Sequence, residues 1–469
     1  MAEAYDVVVI GAGPAGYVCA IRAAHFGLRV VVVEADSYEG GFGGTCLNWG
    51  CIPAKALLES AALAHHLKSH GAAMGVRPVE VDYDFAAAVE RSRGIADKLT
   101  GGVQYLLKKN KVEMVRGRGR LVARNRVAVH SDEGAQELAT KHVVIATGSV
   151  MKTFPSLEFD REKVIGSREA LGLTELPERL AIVGAGFVGV EFADVFNAFG
   201  VEVTIIEALE TLVPLEDPEI GKTLARSFKK RGIRTRLKCK VKELDRNVSP
   251  MILTVENPDG TEGIEKTDLV LMAVGRRPVT EDLGLEENGI ELEDGFIRID
   301  EWCRTTAEGV YAVGDVAGEP MLAHVGSHEG IVAAEHIAGA GNHPMRYDNI
   351  PSVGYCHPEI ASIGLTEAKA KEAGYEVKTG KYPLISHGRA LTAGANEGFV
   401  RLVADAEYGE LLGVQMIGHN VSELISEAGL GRELETTLDE IAAHPHAHPS
   451  MAEALMQAAF VALGRPIDV

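Results

Sequence analysis

The chain has 469 residues, of which 46% are hydrophobic and 24% are charged, and it contains 52 glycines. These values predict a globular α/β protein of several domains with many tight turns. The net charge of −20 argues against a nucleic-acid or anionic-membrane partner. Six cysteines are too few for a secreted disulfide framework, and no apolar run is long enough to span a membrane.

The start of the chain carries no recognisable targeting segment. Met1-Ala2-Glu3-Ala4 is acidic and leads almost at once into an apolar run, so neither a signal peptide nor a transit peptide is apparent. We therefore expect a cytoplasmic bacterial protein. The alternative is a mitochondrial matrix protein whose presequence has been removed.

A glycine motif follows the first strand-like run, Tyr5 to Ile10. Gly11, Gly13 and Gly16 have the spacing of the dinucleotide fingerprint, and a helical stretch and a second apolar run lead from them to Glu34. The first glycine allows a tight turn, the second lets the backbone approach a pyrophosphate, and the third lets helix and strand pack closely. The pattern predicts a dinucleotide site in which Glu34 accepts hydrogen bonds from a ribose.

Two cysteines, Cys46 and Cys51, come next, with glycines at positions 43, 44 and 50 and a proline at 53. On a straight helix their Cα atoms would lie about 7.5 Å apart along the axis, whereas a disulfide needs roughly 4.4–6.8 Å. A bond between them therefore requires a distorted backbone, which the glycines allow. Pro53 favours the start of a helix that continues to Leu63. The N-terminus of this helix would lower the pKa of Cys51. We interpret the pair as a redox-active dithiol, with two unrelated buried cysteines as the alternative.

The fingerprint returns 173 residues later at Gly184, Gly186 and Gly189, with Glu207 in the position of Glu34. In both copies the acid lies 18 residues beyond the third glycine. This internal repeat implies two bound dinucleotides. Residues 208–213 contain no lysine or arginine that could hold a 2′-phosphate, and the carboxylate of Glu207 would repel one. We therefore expect NAD rather than NADP.

Further strand-like runs lie between and after the two copies. They comprise short strands and turns over 112–129, a run that ends in Thr147-Gly148, the run Leu269 to Val274 before Gly275, and a run that ends in Gly314-Asp315. Asp315, the acid at the end of the last of these runs, could reach the ribityl or phosphate region of a cofactor. From residue 349 onward, period-two stretches alternate with helical ones and predict an antiparallel sheet backed by helices.

Two fingerprints with a cysteine pair after the first resemble the pyridine-nucleotide disulfide oxidoreductase family, and within it the enzymes that oxidise dihydrolipoamide. The resemblance runs from Tyr5 to about Ala458. It rests on the following motifs: Gly11 to Gly16 with Glu34, Gly44-Thr45-Cys46-Leu47-Asn48, Gly50-Cys51-Ile52-Pro53, Ala146-Thr147-Gly148, Gly184 to Gly189 with Glu191 and Glu207, Gly314-Asp315, Met321-Leu322-Ala323-His324, and His444 to Pro449 with Glu453.

The resemblance implies an α/β fold with two Rossmann-like domains and a C-terminal α+β dimerisation domain. The implied segments are an FAD-binding domain with a redox disulfide (1–150), an NAD-binding domain (151–278), a central segment that completes the FAD domain (279–348) and a dimerisation domain (349–469). The implied function is FAD-dependent oxidation of protein-bound dihydrolipoamide by NAD. The implied partners are a second copy of the chain that shares the active site, and the lipoyl and peripheral-subunit-binding domains of a 2-oxo acid dehydrogenase complex or a lipoylated H protein.

The resemblance also implies roles for single residues. Those implied as catalytic are Cys46 facing the substrate, Cys51 facing the flavin, Lys55 paired with Glu191 beside the flavin, and His448 with Glu453. FAD contacts are implied for Gly11, Gly13, Gly16, Glu34, Gly44, Thr45, Lys55, Thr147, Gly148, Asp315, Met321, Leu322, Ala323 and His324. NAD contacts are implied for Gly184, Gly186, Gly189, Glu191, Glu207 and Gly275.

Three histidines alternate at positions 444, 446 and 448, which invites a metal-site interpretation. Flanking prolines and the lack of nearby cysteines or other ligand clusters disfavour it, and we expect no metal. The other interpretation makes one histidine a general base oriented by a carboxylate. Glu453, one turn into the helix expected after Pro449, lies within reach of His448, and the resemblance implies the same dyad. His444 and His446 are then structural or dimer-interface residues.

The chain departs from the family pattern at Trp49, Ala54, Val279 and Val325, where valine, serine or threonine, asparagine and lysine are usual. We interpret Trp49 as a packing residue, with narrowed access to the disulfide as the alternative. A glutathione- or mercuric-reductase-like enzyme is the alternative function. It is disfavoured because residues 208–213, directly after Glu207, contain no basic residue, and because no cysteine follows Cys356. A non-catalytic flavoprotein subunit would not need the cysteines and the dyad together.

Overall fold

The computed structural model describes residues 4–35, 41–77, 82–154, 156–341 and 343–468. Met1, Ala2 and Glu3, which bear on the predicted absence of a targeting segment, lie outside them. The strands are β1 (Tyr5–Ile10), β2 (Val30–Glu34), β3 (Glu113–Arg116), β4 (Arg118–Ala123), β5 (Arg126–Ser131), β6 (Gly134–Ile145), β7 (Ser149–Met151), β8 (Val164–Ile165), β9 (Arg179–Val183), β10 (Glu202–Ile206), β11 (Arg234–Arg236), β12 (Lys240–Asp245), β13 (Met251–Glu256), β14 (Glu262–Thr267), β15 (Leu269–Met272), β16 (Arg276–Pro278), β17 (Leu292–Glu293), β18 (Phe296–Ile297), β19 (Val310–Ala312), β20 (Ser352–Gly354), β21 (Glu359–Gly364), β22 (Val377–Pro383), β23 (Phe399–Asp405) and β24 (Leu411–Gly418).

The α-helices are α1 (Pro14–His25), α2 (Gly44–Trp49), α3 (Cys51–His70), α4 (Phe85–Lys109), α5 (Ser167–Ala170), α6 (Phe187–Ala198), α7 (Pro218–Lys230), α8 (Ala323–Ile337), α9 (Glu367–Glu372), α10 (Gly388–Ala393), α11 (Val421–Glu433), α12 (Leu438–Ala443) and α13 (Glu453–Ala462). Within the described ranges, none of these helices is long and apolar enough to cross a membrane.

The chain divides into two compact units. The first combines residues 1–56, 87–152 and 275–346, and the second combines 57–86, 153–274 and 347–469. The four segments expected from the resemblance stay a prediction, since the compact units group the chain differently.

The first unit is built on a sheet with the strand order β3-β2-β1-β6-β5-β4, in which β19 also pairs with β6. The strands β3, β2, β1, β6 and β19 run parallel. Val7, Val8 and Val9 of β1 are fully buried, as expected for a parallel strand covered on both faces. Because the first fingerprint follows β1 and Thr147 follows β6, both lie beyond the carboxyl ends of neighbouring strands, where α/β sheets bind ligands.

The second unit contains a parallel sheet of order β11-β10-β9-β15-β8, with the second fingerprint directly after β9. It also contains the antiparallel sheets β12-β13-β14 and β20-β21-β24-β23-β22. The latter packs its apolar face against α11 and α13 in one buried cluster. The predicted fold class, with two Rossmann-like regions and a C-terminal antiparallel sheet backed by helices, is confirmed.

Two predicted helix boundaries are wrong. The helix after the cysteine pair continues to His70 rather than Leu63, because residues 64–70 contain neither glycine nor proline to end it. Glu453 does not lie one turn inside the last helix but is its first residue. Its carboxylate accepts a hydrogen bond from the Ser450 amide and so closes the turn that precedes the helix.

Candidate active site

The cysteine stretch forms two helices joined at a sharp break. α2 ends before Gly50, which has φ −140° and ψ −117°, and α3 begins at Cys51. Gly43 and Gly44 precede the break with φ of +96° and +61°, values that a residue with a Cβ atom adopts only at a cost. The backbone therefore has the distortion that the cysteine spacing requires, and it places Cys51 at the first position of a helix.

The two cysteines interact as thiols. The hydrogen bond of Cys46 to Cys51, together with burial, raises the pKa of the Cys46 thiol well above its usual range, and the charge of Lys55 opposes this shift. A hydrogen bond that keeps the proton on Cys46 favours Cys51 as the sulfur that ionises first. Its place at a helix N-terminus acts in the same direction.

Helix α4 supports the cysteine turn, a role that no sequence motif announced. The buried hydroxyl of Ser92 donates to the Pro53 carbonyl at 3.0 Å, and Thr100 donates to the Asn48 side chain at 3.1 Å. Arg93 donates to the Asn48 carbonyl and places its guanidinium 3.9 Å from the centre of the Trp49 ring.

The partly buried Trp49 ring is thus stacked against a cation, in agreement with a packing role. The contacts between α4 and the cysteine turn join residues that lie far apart in the sequence, so no local pattern could have predicted them.

The first fingerprint uses each glycine differently. A Cβ atom at Gly11 would lie 2.2 Å from the Ala146 carbonyl oxygen, and one at Gly16 would lie 1.9 Å from the Gly11 carbonyl oxygen. At Gly13 the nearest neighbour is the Gly44 Cα at 3.8 Å, an ordinary contact. The first and third glycines therefore serve the close packing of strand and helix, while the second leaves room for a pyrophosphate.

The second fingerprint repeats this division. A Cβ atom would lie 2.3 Å from the Ala273 carbonyl oxygen at Gly184 and 2.1 Å from the Gly184 carbonyl oxygen at Gly189. At Gly186 it would meet nothing within 4 Å. Both glycine turns thus fit a dinucleotide, since each has a close-packed base and an open middle position.

The acid that follows each fingerprint is buried against its own glycine turn. Glu34 accepts hydrogen bonds from the Ala12 amide at 2.5 Å and the Gly41 amide at 3.1 Å. Glu207 accepts from the amides of Ala185 at 2.7 Å and Leu209 at 2.8 Å. Each carboxylate therefore stabilises the loop as well as standing in the position of the predicted ribose acceptor.

A polar cluster of the first unit holds the predicted cofactor acid. Ser149 donates to Asp315 at 2.5 Å, and Arg276 donates to the Ser149 hydroxyl at 2.6 Å while its guanidinium lies 3.9 Å from the Asp315 carboxylate. The positive charge of Arg276 therefore lies beside the acid predicted to contact the cofactor. Neither Ser149 nor Arg276 was predicted as a site residue, although both flank motifs that were.

The remaining predicted cofactor residues lie on turns. The Thr147 hydroxyl donates to the Val279 carbonyl at 2.7 Å, and the Val279 amide donates to Gly148 at 3.0 Å. Since only the backbone of Val279 is used, its departure from the family pattern leaves this turn intact. The Gly275 carbonyl accepts a hydrogen bond from the Lys152 amide at 3.0 Å, and its contact with NAD stays a prediction.

The run Met321-Leu322-Ala323-His324 leads into α8, whose first residue is Ala323 and whose N-cap is Leu322. A buried carboxylate on this helix, Glu329, accepts the Gly314 amide at 2.5 Å and so holds the turn that carries Asp315. Glu329 was missed, because an isolated acid in a helix carries no signal that it is buried.

The predicted dyad is formed at the end of the chain. His448 Nδ1 lies 2.8 Å from Glu453 Oε1, and the imidazole is 80% exposed while the carboxylate is 17% exposed. Burial raises the pKa of Glu453, but the Ser450 amide and His448 outweigh this effect and lower it overall. The exposed imidazole therefore has an ionised partner on one nitrogen and leaves the other facing outward, as a general base requires.

The other two histidines of this segment form structural contacts. His446 lies 2.9 Å from the His444 carbonyl through Nδ1 and 2.9 Å from Glu427 through Nε2. Among the described residues no three His, Cys, Asp or Glu side chains come together as a metal site.

The predicted pairing of Lys55 with Glu191 joins the two units and stays a prediction. Lys55 lies on α3 one turn after Cys51. Glu191 is buried on α6 and accepts a hydrogen bond from the Tyr355 amide at 2.9 Å.

Comparisons with known proteins identify the family of the chain. Residues 5–330 match the family described as pyridine nucleotide-disulphide oxidoreductase, and residues 350–459 match the dimerisation domain of that family. The match to a dimerisation domain supports a homodimer.

Two curated relatives and one solved structure show how far the similarity extends. The dihydrolipoyl dehydrogenase of Zymomonas mobilis is 40% identical over the full length of both chains. The mitochondrial dihydrolipoyl dehydrogenase of Pisum sativum is 40% identical over 99% of this chain and 92% of its own. LpdA from Mycobacterium tuberculosis has a TM-score of 0.89 and 28% identity over 97% of this chain and 99% of its own. The chain therefore belongs to the pyridine nucleotide-disulphide oxidoreductase family.

Proposed function

We propose that this protein is a dihydrolipoyl dehydrogenase, which oxidises protein-bound dihydrolipoamide to lipoamide and reduces NAD to NADH. The observation that carries the proposal is the hydrogen-bonded pair Cys46–Cys51 at the break between two helices, next to a dinucleotide fingerprint. Full-length relatives that bear this name support the choice of substrate.

The thiol chemistry uses the roles that the family resemblance implies for the two sulfurs. One substrate thiolate attacks Cys46 of the Cys46–Cys51 disulfide, giving a mixed disulfide and releasing Cys51 as a thiolate. The second substrate thiol then displaces Cys46, so that lipoamide leaves with its own disulfide and the enzyme holds two thiols. FAD, when bound, supplies the redox chemistry that carries the electron pair on to NAD.

Proton removal from the substrate falls to His448 and Glu453. The carboxylate holds Nδ1 and stabilises the charged imidazolium that forms when Nε2 accepts a proton. We propose that this dyad acts on the cysteine pair of the other subunit in a homodimer, so that each active site is built from two chains.

The two dinucleotides occupy the two fingerprints. FAD takes the first, with Glu34 and Asp315 as its acidic contacts, and NAD takes the second, with Glu207 and Glu191. The buried carboxylate of Glu207, which accepts a hydrogen bond from the Ala185 amide, supports this choice, because an acid at this position of the fingerprint binds a ribose hydroxyl and would repel the 2′-phosphate of NADP.

The lipoyl group reaches the enzyme on a carrier protein. We propose as partners the lipoyl and peripheral-subunit-binding domains of a 2-oxo acid dehydrogenase complex, or a lipoylated H protein. The proposed location is the bacterial cytoplasm, with the mitochondrial matrix as the alternative.

The decisive assay compares disulfide substrates. The purified protein should be yellow, and NADH should drive reduction of lipoamide much faster than reduction of oxidised glutathione. Absence of lipoamide turnover, or a strong preference for NADPH, would overturn the proposal.

Two variants test the assigned roles. Cys46→Ser and His448→Ala should each abolish lipoamide turnover and retain FAD, which the visible absorption spectrum reports. His444→Ala is the matched control, because this exposed histidine belongs to the same segment and packs its ring against His446, with 5.0 Å between ring centres, rather than taking part in the His448–Glu453 contact. Loss of FAD from the Cys46 or His448 variant would show that these residues have another role.

A further inference from the structure

A buried histidine outside the predicted motifs is connected to the His448–Glu453 dyad. His387 is 4% exposed, and its Nε2 lies 2.9 Å from the Ser450 carbonyl oxygen. A carbonyl oxygen only accepts hydrogen bonds, so Nε2 must carry a proton and donate it. The side chain of His387 therefore holds the carbonyl group of Ser450.

Ser450 is also held through its amide. That amide donates to Glu453 Oε2 at 2.8 Å, while Glu453 Oε1 accepts from His448 Nδ1 at 2.8 Å. Three hydrogen bonds thus run in series from His387 through Ser450 and Glu453 to His448.

The series matters because the segment that carries His448 has no regular secondary structure between α12 and α13. The His448 ring is 80% exposed, so packing does not set its direction. The orientation of the ring depends on Glu453. The position of the turn before Glu453 depends in turn on the hydrogen bonds that hold Ser450.

His387 is itself fixed by the core of the antiparallel sheet. Its ring stands edge-on to the buried Tyr382 of β22, with 5.6 Å between ring centres and an interplanar angle of 85°. Its backbone amide donates to the Leu384 carbonyl, and its carbonyl accepts from the Leu391 amide. An anchor of this kind passes the rigidity of the sheet on to an otherwise irregular segment.

We propose that His387 is a positioning residue for the His448–Glu453 dyad. It holds the backbone of Ser450 through the carbonyl, so that the Ser450 amide fixes Glu453 and Glu453 orients the imidazole that accepts the proton of the substrate thiol. The inference rests on the proposed function, in which the dyad is the base.

The test replaces the donor. His387→Leu removes the hydrogen bond, and we expect kcat for dihydrolipoamide oxidation to fall about 10- to 100-fold, as displacement of a catalytic group by about 1 Å does. The KM for NAD and the NADH-driven reduction of ferricyanide, which needs the flavin but no thiol base, should stay unchanged. His387→Gln, which retains a donor, should recover most of the lost rate.

The matched control is His419→Leu, since His419 is a half-buried histidine of the same unit outside the series of hydrogen bonds; it should retain full activity. If His387→Leu does not fold, His387→Met takes its place, because methionine also lacks a donor. A double variant with Glu453→Gln should lose no more than Glu453→Gln alone, since both changes break one series.

Two outcomes separate the inference from the proposed function. If His448→Ala abolishes lipoamide turnover while a folded His387→Leu enzyme retains its kcat, the positioning role is refuted and the proposed function stands. If His448→Ala retains lipoamide turnover, the dyad is not the base, so the positioning role and the proposed role of the dyad both fail, while the proposed dehydrogenase activity stands. Equal losses of lipoamide and ferricyanide activity in His387→Leu would also refute the positioning role, because they would indicate general damage.

Discussion

Replacing the middle glycine of the second fingerprint should separate nucleotide binding from folding. Gly186 has φ −67° and ψ 179°, which any residue adopts, and a Cβ atom there would meet nothing within 4 Å. Gly186→Ala should therefore change the free energy of unfolding by about 0.4–1 kcal/mol or less, in the stabilising direction. Gly189→Ala is the contrasting variant, because its Cβ atom would lie 2.1 Å from the Gly184 carbonyl oxygen.

The effect on NAD follows from the contact that the extra carbon would obstruct. A hydrogen bond from a backbone amide to a charged phosphate is worth about 1.5–3 kcal/mol. Loss of one such bond weakens binding about 10- to 100-fold, since each 1.4 kcal/mol is a factor of about ten. We therefore expect the KM for NAD of Gly186→Ala to rise by that factor, with the KM for dihydrolipoamide unchanged.

Steady-state kinetics at saturating dihydrolipoamide measure the KM for NAD, and thermal unfolding followed by flavin fluorescence measures stability. Gly189→Ala should unfold at a clearly lower temperature than the natural protein, whereas Gly186→Ala should not. A Gly186→Ala enzyme with normal stability and an unchanged KM for NAD would refute the reasoning, because the backbone would then not approach the pyrophosphate.

Two further predictions concern stability. Trp49→Val should lower the free energy of unfolding by about 0.5–2 kcal/mol through loss of the stack with Arg93 and should leave FAD bound; thermal unfolding checks this, and an unchanged midpoint would contradict it. Asp194 and Arg231 form an ion pair whose side chains are only 1% and 9% exposed. Asp194→Ala should therefore lower the free energy of unfolding, measured with urea, by about 3–5 kcal/mol, because it leaves Arg231 buried without its partner charge.

Asp194 should also make the stability of the protein depend on pH. Burial alone would raise the pKa of Asp194, but Arg231 and His357 lower it from 3.8 to about 2. A carboxylate with a lowered pKa contributes its full stability above pH 3.8 and loses it as the pH falls towards 2. Acid unfolding in this window should be less steep in Asp194→Asn than in the natural protein, and equal slopes would contradict the assignment.

The sequence predicted the fold class, both fingerprints and the contact between His448 and Glu453. These features depend on short-range patterns: an apolar strand before a glycine turn, or two residues separated by one turn. Arg93 and Asn48 are 45 positions apart, and His387 and Ser450 are 63 apart. Such contacts depend on how distant segments are folded together, and a single sequence holds no local pattern for them.

Helix boundaries failed for a related reason. Pro449 suggested that the last helix starts directly after it, but the hydrogen bond from the Ser450 amide to Glu453 closes a turn first. Trp49 could be identified as unusual from the sequence, yet its partner Arg93 belongs to a helix that begins more than thirty residues later.

The chain leaves the first compact unit after Lys152 and re-enters it at Gly275, which bears on how the domains are arranged along the sequence. Lys152 and Gly275 are joined by a backbone hydrogen bond of 3.0 Å, and β7 pairs with β16 immediately beside them. A segment whose two ends meet in this way interrupts its host no more than a short surface turn would. The second fingerprint therefore has the layout of a nested insertion, and a tight turn from Lys152 to Gly275 would restore an uninterrupted chain through the parallel sheet that carries the first fingerprint.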